Sequence, residues 1–372
     1  MKKYIFHLLF LSIFSNISLF SQSLSFNGQF SSIGNYEEIR GGHILTKELD
    51  IRYLPEISFL NNVNQNSYIE FHWSYYIKKN LYTTGLNLDE INRYKHRLWI
   101  RYVNNTIDFR LGLQKLAFGP GYILRPLSWF DTIDYTDITR FTQGVEAMRF
   151  IYTPSNALSV WTWAMSSHSK MPSYGGRIEL SNYSGDWGIT YHRNLNSSKE
   201  FTFFEYGLIQ QIIASNNNFL PFLAIRESSR LGFDYRYDGA IGFWMENSLC
   251  LIDKYDDVGI ERIYSSMIGF DYTIPVLDGI YLMSETMYSS VLAIDDSYFD
   301  ITNTVVNLDF PIDFLNTFSL VLGFNLDNND YYRSYHLLRF ISVYDDFSVE
   351  FSTNIKDGHW FKNIQATFVY NY

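Results

Sequence analysis

Several features that mark other protein classes are scarce in this 372-residue chain. Cys250 is the only cysteine, so no disulfide can form within the chain. The 29 Lys and Arg residues are outnumbered by 39 Asp and Glu residues, and this balance argues against a nucleic-acid partner, which requires a basic stripe. Beyond residue 21, no apolar run approaches the roughly 20 residues of a membrane-spanning helix. Nucleic acid is therefore not an expected partner, and a helical membrane protein is excluded.

Motifs for enzyme chemistry are also missing. The eight histidines are scattered and show no metal-ligand spacing. The Gly-Pro-Gly at 119–121 is turn chemistry and not a phosphate-binding loop. We therefore expect no catalytic residues, no metal and no cofactor.

The first residues, MKKYIFHLLFLSIFSNISLFS, are typical of a secretory signal peptide. Lys2 and Lys3 precede an apolar stretch that is too short to span a bilayer, and small and polar residues follow. No cysteine lies near the expected cleavage point, which argues against a lipid anchor. The alternative is a short buried helix. We predict a signal peptide over residues 1–21 and one domain over residues 22–372.

Aromatic residues, by contrast, are abundant. They make up 19% of the chain, including 30 Tyr and 31 Phe, although the mean hydropathy is only −0.13. A water-soluble protein would have to bury all these rings. A transmembrane β-barrel places apolar side chains on its lipid face and aromatic side chains at the two membrane interfaces.

Strict alternation predicts strands along most of the chain. In KHRLWIRYV, Leu98, Ile100 and Tyr102 fall on one face, and Lys95, Arg97, Trp99, Arg101 and Val103 fall on the other. The next segment, TIDFRLGLQ, alternates in the same way. Most such segments have about ten residues or more, the length that a tilted strand needs to cross a membrane. We count 18 strands, within a range of 16 to 20, because 196–228 could be an external loop, a helix packed inside or two further strands.

The connections between these strands alternate between tight turns and longer loops. The two longest, 119–143 and 196–228, both follow odd-numbered strands, as expected when short turns and long loops lie at opposite ends of a barrel. The fold class we predict is all-β, a transmembrane antiparallel up-and-down β-barrel of about 18 strands.

The last strand is also informative. Ile364, Ala366, Phe368, Tyr370 and Tyr372 share one face, and the chain ends on an aromatic residue. This resembles the C-terminal insertion signal of outer-membrane barrel proteins, which implies the barrel-assembly machinery as a partner. We expect the protein in the outer membrane of a Gram-negative bacterium, in contact with its lipid.

Charged residues on the predicted inward faces suggest a filter. Arg97, Arg101, Arg110 and Arg149 lie on strands next to the 119–143 loop and would form a basic patch. Asp131, Asp134 and Asp137 of the loop would face it. The opposed charges either orient polar solutes in a transverse field or pair and brace the loop. Because the loop is rich in aromatic and aliphatic residues, among them Trp129, we expect it to fold inward and narrow the barrel.

The stretch RLGLQKLAFGPGYILRPLSWFDTIDYTD resembles a motif of porin-like outer-membrane proteins of Bacteroidota-type bacteria and, more distantly, of alginate-export and related 18-stranded porins. The matching residues are Gly112, Gln114, Phe118, Gly119, Leu124, Arg125, Pro126, Asp131 and Asp134, whereas Leu113 replaces the arginine of many relatives. The resemblance covers about 30 residues and implies a porin whose third external loop folds inward.

The expected function is therefore a channel for small polar or anionic solutes. Its expected pore-lining and constriction residues are Arg97, Arg101, Arg110, Arg149, Arg125, Trp129, Asp131, Asp134 and Asp137. The alternatives are a non-conducting barrel of a secretion or assembly complex and a transporter of hydrophobic compounds. The sequence predicts neither the solute nor the oligomeric state.

Overall fold

The computed structural model describes residues 22–39, 44–83, 91–131, 133, 138–139, 141–166, 173–195, 205, 208–209, 227–253, 260–276, 278–294, 296–326, 335–356 and 359–372. The predicted signal peptide, residues 1–21, lies outside the described residues. The same holds for Asp134 and Asp137.

Eighteen strands account for most of the described chain. They are β1 (Gln22–Ile39), β2 (Ile44–Asn64), β3 (Ser67–Thr83), β4 (Ile91–Val103), β5 (Ile107–Gln114), β6 (Val145–Ser155), β7 (Leu158–Met165), β8 (Ser173–Asn182), β9 (Gly185–Asn194), β10 (Ser228–Tyr237), β11 (Gly242–Ile252), β12 (Ile260–Ile274), β13 (Ile280–Ala293), β14 (Tyr298–Pro311), β15 (Asn316–Asn325), β16 (Tyr335–Tyr344), β17 (Phe347–Lys356) and β18 (His359–Asn371).

The strands form one closed sheet. Each strand pairs antiparallel with the next one in sequence, and β18 pairs with β1 from Gln29 opposite Asn371 to Glu37 opposite Asn363. Closure leaves no strand edge unpaired, which a sheet in hydrocarbon requires because no water is available to its backbone. The predicted 18-stranded up-and-down barrel is confirmed.

The two faces of the sheet have opposite chemistry. Outward side chains are apolar and exposed: Ile189 is 60% exposed and Ile268 is 53% exposed. Inward side chains include enclosed charges, and Glu246 and Glu285 are both 0% exposed. A water-soluble protein shows the reverse arrangement. An apolar outer face suits a barrel surrounded by lipid.

The connections obey the predicted alternation. Those after even-numbered strands have two to five residues, such as 65–66, 183–184 and 345–346, whereas 115–144 and 195–227 both follow odd-numbered strands. Because neighbouring strands are antiparallel, the connections after even-numbered strands lie at one end of the barrel. Those after odd-numbered strands lie at the other end and include every connection longer than five residues. We call these the turn end and the loop end.

One predicted face is wrong in β4. The β3–β4 register shifts where Ser74 faces Arg97 but Tyr75 faces Lys95, so His96 is an extra residue in β4. Because of this bulge, the side chains of β4 before His96 point to the opposite faces from those that simple alternation predicts. Lys95 consequently does not share the face of Arg97 and is exposed.

The 196–228 segment adds no strand to the sheet, because β9 pairs directly with β10. Its described residues Glu205, Leu208 and Ile209 are helical. None of the described helical residues belongs to a helix that is long and apolar enough to cross a membrane.

Candidate functional site

The connecting segment, residues 115–131, leaves the end of β5 and binds β13 on the far side of the ring. Glu285 of β13 accepts hydrogen bonds from three successive backbone N–H groups, those of Tyr122 (2.7 Å), Ile123 (2.8 Å) and Leu124 (2.7 Å). The Trp244 indole N–H donates to the same carboxylate at 3.0 Å. Since β13 is eight strands from β5 in an 18-stranded ring, the backbone of the segment crosses the enclosed space.

A second enclosed carboxylate holds the segment on β11. Glu246 accepts hydrogen bonds from the Gly121 N–H at 2.6 Å and the Leu127 N–H at 3.0 Å. Gly119 has a φ of +90°, and a Cβ there would lie 2.4 Å from the Glu246 carboxylate. Glycine is therefore required for this close approach. The inward course predicted for the loop agrees with these contacts as far as residue 131.

The apolar side chains of the segment pack on the inner walls. Leu116, Phe118, Leu127 and Trp129 form a buried cluster with Trp163 of β7. Ile123 and Leu124 pack against Val305, Val321 and Leu337 of β14, β15 and β16. Trp129 also donates its indole N–H to Ser248 Oγ of β11 at 3.1 Å. This packing accounts for the aromatic and aliphatic content of the segment, and it makes Trp129 an anchor of the segment.

The Asp131 carboxylate is bound within the segment itself. Arg125 donates to it from both terminal nitrogens at 2.6 and 3.0 Å, and Asp131 is only 2% exposed. The expectation that Asp131 faces the water path opposite the wall arginines is wrong. A bidentate guanidinium–carboxylate pair satisfies both groups locally.

Three of the four predicted wall arginines lie side by side. Arg101 of β4 is directly opposite Arg110 of β5, and Arg110 is directly opposite Arg149 of β6. We call these three residues the arginine row. Asp108 accepts hydrogen bonds from Arg101 at 2.8 and 3.0 Å and from Arg149 at 3.2 Å. Glu70 of β3 lies 3.6 Å from Arg101.

Arg110 is the member of the row without such a partner. Among the residues that the structure describes, none forms a hydrogen bond or an ion pair with its guanidinium, and its Nε is buried without a partner. The guanidinium lies 4.3 Å from the centroid of the Trp99 ring. The cation is therefore oriented by an aromatic face while its N–H donors stay available.

Arg97 has a different role from the arginine row. Its guanidinium donates to the backbone carbonyl of Thr142 at 2.9 Å and to that of His96 at 2.7 Å. Thr142 belongs to the returning end of the loop that follows β5. Arg97 thus connects the returning end of the loop to β4 through backbone carbonyls and not through a loop aspartate.

Comparisons with known proteins agree with this architecture. A scan against protein-family models gives no match, and a search of curated proteins gives none. The trimer form of in-vitro folded OmpT, an outer membrane protein of Vibrio cholerae, is 11% identical with a TM-score of 0.54, covering 95% of this chain and 100% of that one. The anion-selective porin from Comamonas acidovorans is 11% identical with a TM-score of 0.51 and the same coverage. The outer membrane channel DcaP of Acinetobacter baumannii is 10% identical with a TM-score of 0.50, covering 95% and 98%.

The fold is that of outer-membrane porins. Within this porin fold, the described parts of both long connections pack on the inner wall. Glu205 of the second connection pairs with Arg230 of β10 through two hydrogen bonds of 3.0 and 2.9 Å. Leu208 and Ile209 are buried beside Ile263 and Val291 of β12 and β13. Of the three alternatives for 196–228, a helix packed inside the barrel is the one that agrees with Glu205, Leu208 and Ile209.

Sequence reasoning missed the most important anchor of this porin fold. Glu285 stands on the inward face of β13 between Met283 and Met287, both 3% exposed. An acidic residue flanked on its own face by buried apolar residues needs a partner that donates a hydrogen bond. This pattern in the sequence could have identified Glu285 as an anchor. Within the described part of the chain, no group of three His, Cys, Asp or Glu side chains is placed to hold a metal ion.

Proposed function

We propose that this chain forms an outer-membrane channel through which small polar solutes, anions in particular, diffuse. The arginine row in a closed 18-stranded ring carries this proposal. Barrels of 16 to 18 strands are wide enough to leave an aqueous lumen. The charges and the width of that lumen then set its selectivity.

The charges around the row favour anions. Three guanidinium groups, those of Arg101, Arg110 and Arg149, stand against two carboxylates, Asp108 and Glu70. The cluster therefore has an excess of one positive charge, and Arg110 has N–H donors that no described residue uses. A guanidinium presents these donors in a planar fork that fits a carboxylate or a phosphate.

The loop 119–143 narrows the lumen in this proposal. Arg97 and the Arg125–Asp131 pair hold its shape, Trp129 fastens it to β11, and the unpaired Arg110 faces the remaining opening. The hydrogen bonds to Glu246 and Glu285 support this arrangement because they fix the segment on the wall opposite the arginine row.

The proposed location follows from the outer surface and the last strand. Ile364 is 45% exposed and Tyr372 is 42% exposed on the outward face. An alternating, outward apolar final strand suits recognition by barrel-assembly machinery, and we propose that machinery as the partner in membrane insertion.

Liposome swelling with a panel of sugars, amino acids and organic acids tests the proposal. We expect swelling with small solutes and faster entry of organic anions than of neutral solutes of equal size. Arg110→Gln should lower the anion-to-cation permeability ratio in reversal-potential measurements. Arg339→Gln is the matched control, since Arg339 is also an inward arginine but binds Glu350. Equal ratios for the two variants would remove Arg110 from the filter.

A non-conducting barrel is the second candidate, and one observation favours it. Both long connections place buried apolar residues, such as Leu127 and Leu208, against the inner wall. If they fill the lumen, the protein serves a secretion or assembly complex as a closed barrel. Absence of swelling from folded protein with every solute would favour this candidate over the channel.

A further inference from the structure

The outward-facing basic side chains of the barrel lie in the halves of their strands nearer the loop end. An outward cation costs far less near either membrane interface than at the midplane, so this cost alone would allow such residues at both ends. Among the residues whose side chains the structure describes, the outward basic residues of the strands are Lys47, Lys79, Arg93, Lys95, Arg193 and Arg262.

The turn end has the opposite charge. Its connections contain no Lys or Arg. They contain five aspartates, Asp238, Asp278, Asp313, Asp345 and Asp346. The cost of facing lipid is the same at the two interfaces, so this difference indicates an anionic partner that the loop end meets and the turn end does not.

Three of the outward cations are neighbours on β3 and β4. Lys79 of β3 is directly opposite Ile91 of β4, and Arg93 and Lys95 are the next two outward residues of β4. Lys79 and Arg93 are therefore diagonal neighbours, roughly 7–8 Å apart. Arg93 and Lys95 are exposed, and Lys79 is half-buried. We call these three residues the outer basic patch.

The outer basic patch has no counter-charge on its own face. In the described part of the chain, no residue forms an ion pair with any of its three members. β4 contains no acidic residue. The acidic residues of β2 and β3 point inward, because sequence neighbours such as Leu49 and Phe71 are outward and 38% exposed; they are Glu48, Asp50, Glu56 and Glu70.

Outward Arg193 of β9 shows the contrasting case. Its guanidinium lies 2.6 Å from the Asp253 carboxylate and 3.1 Å from that of Glu227. The chain thus neutralises this loop-end cation itself. Like charges on adjacent positions of a sheet repel one another, so the outer basic patch needs an anion from outside the chain.

The patch lies at the border of the apolar outer surface. Toward the turn end, the outward residues of β4 are Leu98, Ile100 and Tyr102. Outward Tyr75 is directly opposite Lys95, and its ring stacks on that of Trp73 with centroids 6.2 Å apart. Aromatic side chains of barrels collect at the membrane interfaces, so the patch stands at the level of lipid headgroups.

We propose that the outer basic patch binds the phosphate group of a lipid headgroup in the outer leaflet of the membrane. The loop end faces that leaflet because short turns of such barrels are periplasmic. The Arg93 guanidinium offers a planar fork to a phosphate, and the two lysines add compact charges. Clusters of Lys and Arg at a membrane surface bind phosphate-bearing headgroups in this way. The inference rests on the proposed membrane location and is independent of conduction.

Native mass spectrometry of the full chain in mild detergent tests the site, with phosphatidic acid as the probe. Each neutral substitution, Lys79→Gln, Arg93→Gln or Lys95→Gln, should weaken binding about fivefold, and the triple variant roughly a hundredfold. Arg193→Gln is the matched control for Arg93→Gln, since it also removes an outward loop-end cation, but one that already has carboxylate partners. It should leave binding of phosphatidic acid unchanged.

Three results would overturn the proposal. The first is folded Arg93→Gln protein that binds phosphatidic acid as tightly as Arg193→Gln does; heat-modifiable gel mobility verifies folding, and the single variants decide the question even if the triple variant does not fold. The second is complete release of the lipid by an equal concentration of sodium phosphate, which would assign the site to free phosphate. The third is equally tight binding of oleate, which would show that phosphate is not recognised. Conductance of the same preparations is measured separately, so a missing lipid site and a missing channel are distinguishable.

Discussion

Replacing Glu285 by glutamine should release the connecting segment while leaving the barrel intact. The carboxylate accepts backbone hydrogen bonds from Tyr122, Ile123 and Leu124 and an indole hydrogen bond from Trp244. Glutamine keeps one oxygen acceptor but turns an NH₂ group toward two of these donors. Each lost bond to a charged acceptor is worth about 1.5–3 kcal/mol. The two losses together therefore weaken the docking of the segment by at least about 3 kcal/mol.

Hydrogen exchange measures this effect directly. A loss of about 3 kcal/mol corresponds to roughly a hundredfold faster exchange by local opening, and it should appear in peptides covering residues 121–127. Single-channel recordings should show more current noise, since the segment would move in the lumen. Glu350→Gln is the matched control, because Glu350 is also an enclosed inward glutamate (1% exposed) but binds Arg339 of β16.

Two results together would show that Glu285 does not hold the segment in place. The first is unchanged exchange of residues 121–127 in folded Glu285→Gln protein. The second is a current trace that matches Glu350→Gln. Unchanged hydrogen exchange together with an unchanged current trace would mean that apolar packing alone holds the connecting segment against the wall.

Two further predictions concern stability. Gly112→Ala should lower the free energy of unfolding, measured by urea denaturation, by about 1–3 kcal/mol. The reason is that Gly112 has a φ of +124° and an added Cβ would lie 2.2 Å from the Leu98 carbonyl oxygen. Gly34→Ala is the control and should be nearly neutral, because a Cβ at Gly34 would lie 4.0 Å from its nearest neighbouring atom. Glu205→Gln should destabilise the packing of its segment by about 3–5 kcal/mol, since it leaves the buried Arg230 cation unpaired. The double change Glu205→Leu with Arg230→Met should recover most of that loss in the same unfolding assay, and no recovery would show that the pair is not the cause.

The fold was predictable because a membrane barrel constrains the sequence at every strand. The outward positions must be apolar, the strands must be long, and the connections must alternate in length. These requirements predict the 18 strands and the parity of 119–143 and 196–228. The face of Lys95 was not predictable from alternation, because one extra residue, His96, shifts the pattern within β4.

The candidate site was predictable only in part. Strand register follows from alternation, so the inward positions of Arg101, Arg110 and Arg149 could be inferred. Hydrogen-bonding partners depend on where an irregular backbone runs, and no periodicity describes that course. The pairing of Asp131 with Arg125 and the docking on Glu285 therefore required the structure.

Planar bilayer recording determines directly whether this barrel conducts ions. Purified protein whose fold is verified by heat-modifiable mobility is added to a bilayer in a salt gradient. We expect stepwise current increments and a zero-current potential of the sign that indicates anion preference. The magnitude of that potential should be smaller in Arg110→Gln. Folded protein that inserts into the bilayer without any ion current would contradict the claim.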